Sequence, residues 1–225
     1  MAVPLYELAL LTAAELEERN RFDVSLRLVT RERAPLELFG SAAVADTRRL
    51  LAERGIRLRT EETATAFEDR RLLLSPEGWI DSDFVVSLPR LRGEPIEGVP
   101  QDGLGFVETD EYGRVLELED VYAAGDITAF AIKQGGIAAQ QADTVSSHIA
   151  ARAGAPVVEP FRPVLRGLLL TAAAPVYLRS EPIAKDDEVG AEPLWWPATK
   201  IFGRRLAPFL AEHVGVTAAE PGRRM

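Results

Sequence analysis

The chain has 225 residues, of which 47% are hydrophobic and 27% charged, a composition typical of a globular protein. Its 35 Asp and Glu residues outnumber 26 Lys and Arg residues, and the net charge of −9 argues against general binding to nucleic acid. The sequence has no cysteine, which excludes disulfides, thiolate metal sites and thiol nucleophiles, and with two histidines nothing indicates a metal site.

Residues 1–20 predict an amphipathic helix. Apolar residues recur there at helical spacing, and the helix has a proline suited to its first turn: Pro4, Leu5, Leu8, Ala9, Thr12, Ala13 and Leu16. The stretch has no basic n-region, and acidic residues follow its apolar part closely. We therefore predict neither a signal peptide nor a membrane span, and expect a cytoplasmic protein.

Strands and one helix are predicted from there to residue 89. The expected elements are a strand at Asp23–Thr30, a helix from an N-cap at Ser41 to Arg54 with Gly55 beyond it, a strand around Ile56–Thr60, two short strands within 62–81, and a buried strand at Asp83–Pro89. This is the order of a βαβ nucleotide-binding domain without its first strand.

The glycine- and proline-rich residues 90–105 are interpreted as a crossover between domains. A turn at Asp110–Gly113 and a strand ending at Ala124 follow. The next helix is predicted to begin at Gly135-Gly136, with an apolar face formed by Ala138, Ala142, Val145, Ile149 and Ala153.

Residues 121–151 hold the pattern that indicates chemistry. Gly125 follows an apolar stretch and allows close approach of a ligand, and Asp126 supplies a carboxylate acceptor for sugar hydroxyls. Gly135-Gly136 open a helix whose free N–H groups favour negative charge, and Lys133 adds a positive charge in the same place.

This segment resembles the FAD-dependent pyridine nucleotide-disulfide oxidoreductase superfamily, whose second flavin motif ends in A-x-G-D, here Ala123–Asp126. The resemblance implies that Asp126 binds the ribityl chain of FAD. It also implies that the helix N-terminus faces the flavin edge that becomes anionic on reduction.

The K-Q-G-G element, Lys133, Gln134, Gly135 and Gly136, together with Ala139–Ala142, resembles the branch containing type II NADH dehydrogenases and sulfide:quinone oxidoreductases. Pro4–Ala13, Leu28–Leu36 and Leu194–Lys200 resemble a group of bacterial NAD(P)/FAD-dependent oxidoreductases, so the resemblance covers nearly the whole chain.

An NAD(P) site is expected in the N-terminal half. Arg31 and Glu32 follow the first strand where such folds recognise the adenosine ribose, and the presence of both charges leaves NAD or NADP open. Tyr6 and Glu7 resemble the nicotinamide end of that site. Helix-entry packing and a first-turn carboxylate explain these two residues equally well.

The sequence departs from the superfamily in one important respect, since it contains no G-x-G-x-x-G turn for the ADP part of FAD. Gly103-Leu104-Gly105 has the first spacing, but Glu108 stands where a third small residue belongs. The chain thus resembles the C-terminal portion, cut after the first strand of the NAD(P) half. We expect it to close over the gap, form a homodimer or receive the missing segment from another chain, with FAD bound weakly or not at all.

The tail carries interfacial residue types, with aromatic and basic residues interleaved: Trp195, Trp196, Lys200, Phe202, Arg204, Arg205 and Phe209. Peripheral membrane contact or a quinone pocket is one interpretation. Packing against the flavin domain, or a subunit interface, is the favoured one.

The predicted fold is therefore α/β. Residues 1–90 form a partial NAD(P)-binding domain, 91–155 the C-terminal segment of an FAD-binding domain, and 156–225 an extension. The leading hypothesis is the C-terminal portion of an FAD-dependent NAD(P)H oxidoreductase that passes hydride from nicotinamide to flavin and electrons to a quinone or other acceptor, and that is not competent alone. The alternatives are a non-catalytic module acting through dimerisation or a partner, and a subunit completed by a separate N-terminal polypeptide.

Overall fold

The computed structural model describes residues 3–157, 159–181, 186–195, 198, 200 and 204–213. Its helices and strands, in chain order, are α1 Val3–Glu18, β1 Arg27–Val29, a 3₁₀ helix Glu37–Phe39, α2 Gly40–Glu53, β2 Arg57–Arg59, β3 Thr63–Glu68, β4 Arg71–Ser75, β5 Trp79–Asp81, α3 Gly135–Arg152, β6 Leu165–Leu169, β7 Val176–Glu181, β8 Asp186–Gly190 and α4 Leu206–His213. This mixture of helices and strands confirms the α/β class.

The chain divides into two compact units. Unit 1 comprises Met1–Pro89, Gly167–Ser180 and Asp186–Glu192, and unit 2 comprises Arg90–Arg166, Glu181–Lys185 and Pro193–Met225. The assignment of residues 1–90, 91–155 and 156–225 to nucleotide-binding parts and an extension stays a prediction. Within the described residues, no helix is both long and apolar enough to cross a membrane.

Helix α1 forms as predicted, and its buried face overlaps the predicted stripe only in part, since Ala13 of that stripe is buried. Tyr6 and Leu10 are completely or almost completely buried, whereas Leu8, a member of the predicted apolar stripe, is 42% exposed. The helix is apolar on several sides, so periodicity alone does not identify the side that meets the rest of unit 1.

Helix α2 begins at Gly40, so the predicted N-cap at Ser41 is wrong. The 3₁₀ helix runs directly into α2, and Phe39 occupies the cap position without a side-chain hydrogen bond. The other end is confirmed, since Gly55 follows the helix with φ +64°, a left-handed conformation that glycine adopts without strain.

The sheets of unit 1 are small. Strands β1 and β2 pair in parallel, with Leu28 opposite Leu58, and β3, β4 and β5 form an antiparallel sheet of three strands where two were predicted. The predicted buried strand at 83–89 is wrong, because Phe84 and Val86 are 91% and 68% exposed. In the described part of the chain this segment has no partner strand, so its apolar residues stay at the surface.

The C-terminal strands β6, β7 and β8 form a third sheet in that order. Gly167 in β6 lies close to the fully buried Phe39, whose Cζ is 3.0 Å from the position of a Cβ on that glycine. Leu178 of β7 is also fully buried and packs at the same point. Residues 167–180 thus pack within unit 1.

In unit 2, the residues that precede helix α3 in sequence form ordered loops. Residues 90–105 are held by their own hydrogen bonds, for instance Gly93 N to Leu104 O at 3.0 Å and Ile96 N to Gln101 Oε1 at 2.8 Å, and are not a disordered linker. The predicted strand ending at Ala124 is wrong. Only isolated bridges occur in this part of the described chain, such as Val107 with Thr128.

Helix α3 begins at Gly135 as predicted, but its buried face differs from the predicted one. Ala142 is exposed and Ile149 is 47% exposed, whereas Ile137, Ala139 and Gln141 are buried. The buried face of α3 therefore includes a polar residue, Gln141, and it is not the face that the apolar pattern predicts.

Candidate functional site

Residues 125–128 form a tight turn in unit 2. Thr128 N donates to Gly125 O at 3.0 Å, and the Thr128 hydroxyl donates to the same oxygen at 2.9 Å. Gly125 adopts φ +84°, which only glycine reaches without strain, and Asp126 is exposed at the tip of the turn. The turn thus presents the Asp126 carboxylate to solvent as a hydrogen-bond acceptor.

Gln141 of α3 holds this turn from behind. Its Oε1 accepts from Gly125 N at 2.7 Å, and its Nε2 donates to the Thr128 hydroxyl at 3.3 Å. In the sequence, the Ala139–Ala142 run carries only the family resemblance, which gives Gln141 no role. Gln141 lies outside the apolar register of Ala138, Ala142, Val145 and Ile149, so the helical pattern gives no signal for it. Its burial in the structure is what requires a hydrogen-bonding partner.

The start of α3 lies next to the turn. A Cβ on Gly125 would lie 3.4 Å from the Ala138 Cβ, in ordinary van der Waals contact. Gln134 occupies the cap position in an extended conformation without a side-chain capping bond, and its Nε2 instead donates to Arg166 O at 2.5 Å. The amides of Gly135 and Gly136 at the helix start therefore keep their preference for an anionic or electron-rich partner.

Lys133 connects the turn with the preceding loop. Its Nζ donates to Thr128 O and lies 4.0 Å from the centroid of the Phe106 ring, a cation–π contact. Burial lowers the pKa of this ammonium group, while the nearby Asp126 and Asp102 carboxylates act in the opposite direction. The positive charge thus lies beside the turn, supported by a carbonyl and an aromatic face.

Unit 1 holds a second cluster at the end of β1. The hydroxyl of the fully buried Tyr6 donates to Glu32 Oε2 at 2.6 Å, and the Thr30 hydroxyl donates to the same oxygen at 3.2 Å. Burial, assisted by the Glu32 carboxylate, raises the pKa of Tyr6 far above its usual range. The tyrosine therefore remains a proton donor to the carboxylate.

The predicted site residues thus form two groups, one in each unit. Gly125, Asp126, Lys133 and the start of α3 come together in unit 2. In unit 1 the structure joins Tyr6 to Glu32, which sequence reasoning placed at opposite ends of one site.

The other two predicted residues of unit 1 lie apart from that hydrogen bond. Glu7 is buried and accepts from Leu170 N at 3.1 Å, and Arg31 is exposed. Binding of a nucleotide by either group stays a prediction.

The hydrogen-bonding and charged groups of unit 2 (Asp126, Lys133 and the amides of Gly135 and Gly136) suit the edge of a flavin. An exposed carboxylate, uncapped helix amides and a lysine can contact a polyol chain and an electron-rich ring edge without an enclosed cavity. A nearby pocket of about 140 Å³ is smaller than typical cofactor pockets, and it is lined by Pro100, Gln101, Asp102, Glu108, Leu116 and Glu117. Among the described residues, no group of three or more His, Asp or Glu side chains is placed to hold a metal ion.

Comparison with protein families identifies one match. The model for "Pyridine nucleotide-disulphide oxidoreductase" matches residues 8–142, more than half of the chain. A search of curated proteins finds no match.

Solved structures share the fold. The sulfide:quinone oxidoreductase of Aquifex aeolicus superposes with a TM-score of 0.72 at 18% identity, over 84% of this chain and 51% of that protein. LpdA of Mycobacterium tuberculosis gives 0.54 at 18% identity, over 78% and 39%. A NAD-dependent persulfide reductase from A. fulgidus gives 0.52 at 15%, over 74% and 33%. The chain therefore spans about half of the Aquifex protein, or less of the others.

Proposed function

The chain belongs to the pyridine nucleotide-disulphide oxidoreductase family, and we propose that it supplies the C-terminal portion of an FAD-dependent NAD(P)H oxidoreductase. One observation carries the proposal. The Gly125–Thr128 turn, with its exposed Asp126, packs against the uncapped start of α3, so that a carboxylate suited to sugar hydroxyls and amides suited to an electron-rich ring edge lie side by side. Similarity to solved oxidoreductase folds supports the same proposal.

Each residue of the unit 2 group has a defined part in this proposal. Asp126 accepts hydrogen bonds from the hydroxyls of the ribityl chain. The amides of Gly135 and Gly136, with the α3 dipole behind them, stabilise negative charge on the ring edge, and Lys133 adds to the same potential. When bound, the flavin would supply the hydride-accepting and electron-donating chemistry.

The unit 1 cluster supports an NAD(P) site in the same proposal. Tyr6 and Thr30 hold one oxygen of Glu32, which fixes the direction of this carboxylate at the end of β1. An oriented carboxylate there suits a ribose hydroxyl, and the exposed Arg31 suits a phosphate. Glu7 is bound to Leu170 N and acts in this proposal as a support for the site.

The acceptor in the proposed reaction is a quinone or another electron acceptor, and the Aquifex sulfide:quinone oxidoreductase is the neighbour that favours a quinone. These residues contain no G-x-G-x-x-G turn, so we propose that FAD binding and activity require that segment from the same or another polypeptide. A cytoplasmic location with peripheral membrane contact belongs to the same proposal.

A second candidate is a non-catalytic module that dimerises or binds a partner. Phe84 and Val86 favour it, because both are largely exposed on a segment that forms no strand. Large exposed apolar side chains of this kind mark interaction surfaces.

A titration with FAD separates the candidates. The chain is titrated alone and together with a polypeptide carrying the strand–G-x-G-x-x-G segment, and flavin absorbance and fluorescence are recorded. Asp126→Asn should weaken binding about tenfold, the loss of one hydrogen bond to a charged group, while Asp120→Asn, which removes only a surface ion pair with Arg152, should not. Flavin absorbance and fluorescence that match free FAD in both titrations contradict the flavin proposal and favour the non-catalytic module.

A further inference from the structure

Gln140 and Gln141 are adjacent in α3 but contact different parts of unit 2. Gln140 bonds to Val164, donating to its carbonyl at 2.9 Å and accepting from its amide at 3.0 Å. The side chain of Gln141 bonds to Gly125 and Thr128 of the turn. Consecutive helical residues point about 100° apart, so one helix can anchor two segments.

The Gln141 amide has one consistent orientation. Gly125 N–H can only donate, so Gln141 Oε1 must face it, and Nε2 must then face the Thr128 hydroxyl. The hydroxyl donates its single proton to Gly125 O, which leaves its lone pairs for Gln141. The three residues form a closed ring that satisfies both polar backbone atoms of Gly125.

We propose that Gln141 is a positioning residue that fixes the Asp126 carboxylate at a set distance from the α3 start. The inference rests on the proposed function, because that distance matters only when one ligand contacts both. Gln141 lies six residues beyond Gly135, about 9 Å along a rigid helix, so its hydrogen bonds tie the turn to the same rigid body as the Gly135 and Gly136 amides.

A positioning role predicts a loss of ligand affinity that exceeds the loss from a comparable change nearby. Gln141→Met keeps the length of the side chain and removes both hydrogen bonds to the turn. We expect about tenfold weaker FAD binding and faster hydrogen exchange at the Gly125 amide, which loses its buried acceptor. Gln140→Met is the control, since it removes three side-chain hydrogen bonds, one more than Gln141→Met, without touching the turn.

Thr128 provides the second pair of variants, in case Gln141→Met does not fold. Thr128→Ser keeps the hydroxyl and should bind FAD like the parent chain. Thr128→Val removes the hydroxyl, leaves Nε2 of Gln141 without its acceptor and should weaken binding in the same direction as Gln141→Met.

The experiment combines FAD fluorescence titration, Gly125 exchange by NMR and thermal denaturation for all five proteins. Equal FAD affinity in the parent and Gln141→Met, or equal losses in the two glutamine variants, overturns the proposal. Failure of the parent to bind FAD in the presence of the G-x-G-x-x-G segment overturns the proposed function instead. In that case Gly125 exchange alone decides whether Gln141 fixes the turn, and unchanged exchange in Gln141→Met refutes it.

Discussion

The hydrogen bond from Tyr6 to Glu32 allows a quantitative test of unit 1. Tyr6→Phe removes the hydroxyl but keeps the buried ring, so packing is unchanged and only the bond of 2.6 Å to the carboxylate is lost. A hydrogen bond to a charged group contributes about 1.5–3 kcal/mol. The Thr30 hydroxyl still bonds the same oxygen, so we expect a loss of about 2 kcal/mol at neutral pH.

Alkaline pH should reduce this difference. The pKa of Tyr6 is raised in the folded state, so above about pH 10 the unfolded chain loses the phenol proton while the folded chain keeps it. The parent protein then loses about 1.4 kcal/mol of stability per pH unit from this residue, and Tyr6→Phe does not. The advantage of the parent over the variant should thus shrink as pH rises through this range.

Urea denaturation followed by circular dichroism measures this difference at neutral pH and at several alkaline values. Tyr112→Phe is the control, because the Tyr112 ring packs at a tilt of 30° on His148 in unit 2 and its hydroxyl forms no hydrogen bond among the described residues. Its substitution should change stability by about 0.5 kcal/mol or less. A Tyr6→Phe difference that stays constant from neutral to strongly alkaline pH would refute the argument for a buried, protonated Tyr6.

Three further substitutions test unit 2 and the core by urea denaturation. Gly125→Ala should cost about 1–2 kcal/mol from its φ of +84°, with ordinary contact to Ala138. Burial alone would raise the pKa of Asp110, but hydrogen bonds from Arg114 and a neighbouring amide lower it. Asp110→Asn should therefore cost about 1–2 kcal/mol of stability at neutral pH. This difference in stability should disappear as acid protonates the carboxyl group of the parent protein. Phe39→Ala should cost about 3–5 kcal/mol, because the ring is fully buried. Losses below half of these values contradict the corresponding contacts.

Local signals predicted the helices more reliably than the strands. The start of α3 at Gly135 and the end of α2 before Gly55 follow from glycine chemistry, which operates within a few residues. Strands at 83–89 and before Ala124 were wrong, since a strand exists only where a partner supplies hydrogen bonds. The apolar sequence of 83–89 predicts burial, but it does not reveal whether a partner is present.

The sequence predicts the exposed residues of the candidate site, but not the buried residues that hold them in place. Asp126, Lys133 and the glycines of α3 were identified from motif spacing. Gln141 was missed because its partners, Gly125 and Thr128, lie in a loop more than ten residues earlier, and no helical period reports such a contact. The bond between Tyr6 and Glu32 was missed for the same reason, since it joins residues 26 positions apart.

The central claim is that the Gly125–Thr128 turn and the start of α3 form one flavin-contacting surface. An NMR titration of the ¹⁵N-labelled chain with FAD, in the presence of the G-x-G-x-x-G segment, tests it most directly. We expect saturable shifts of the Gly125, Gly135 and Gly136 amides that follow one binding curve, and in Asp126→Asn all three curves should move together to about tenfold higher FAD concentration. Tight FAD binding that leaves these three amides unshifted would contradict it.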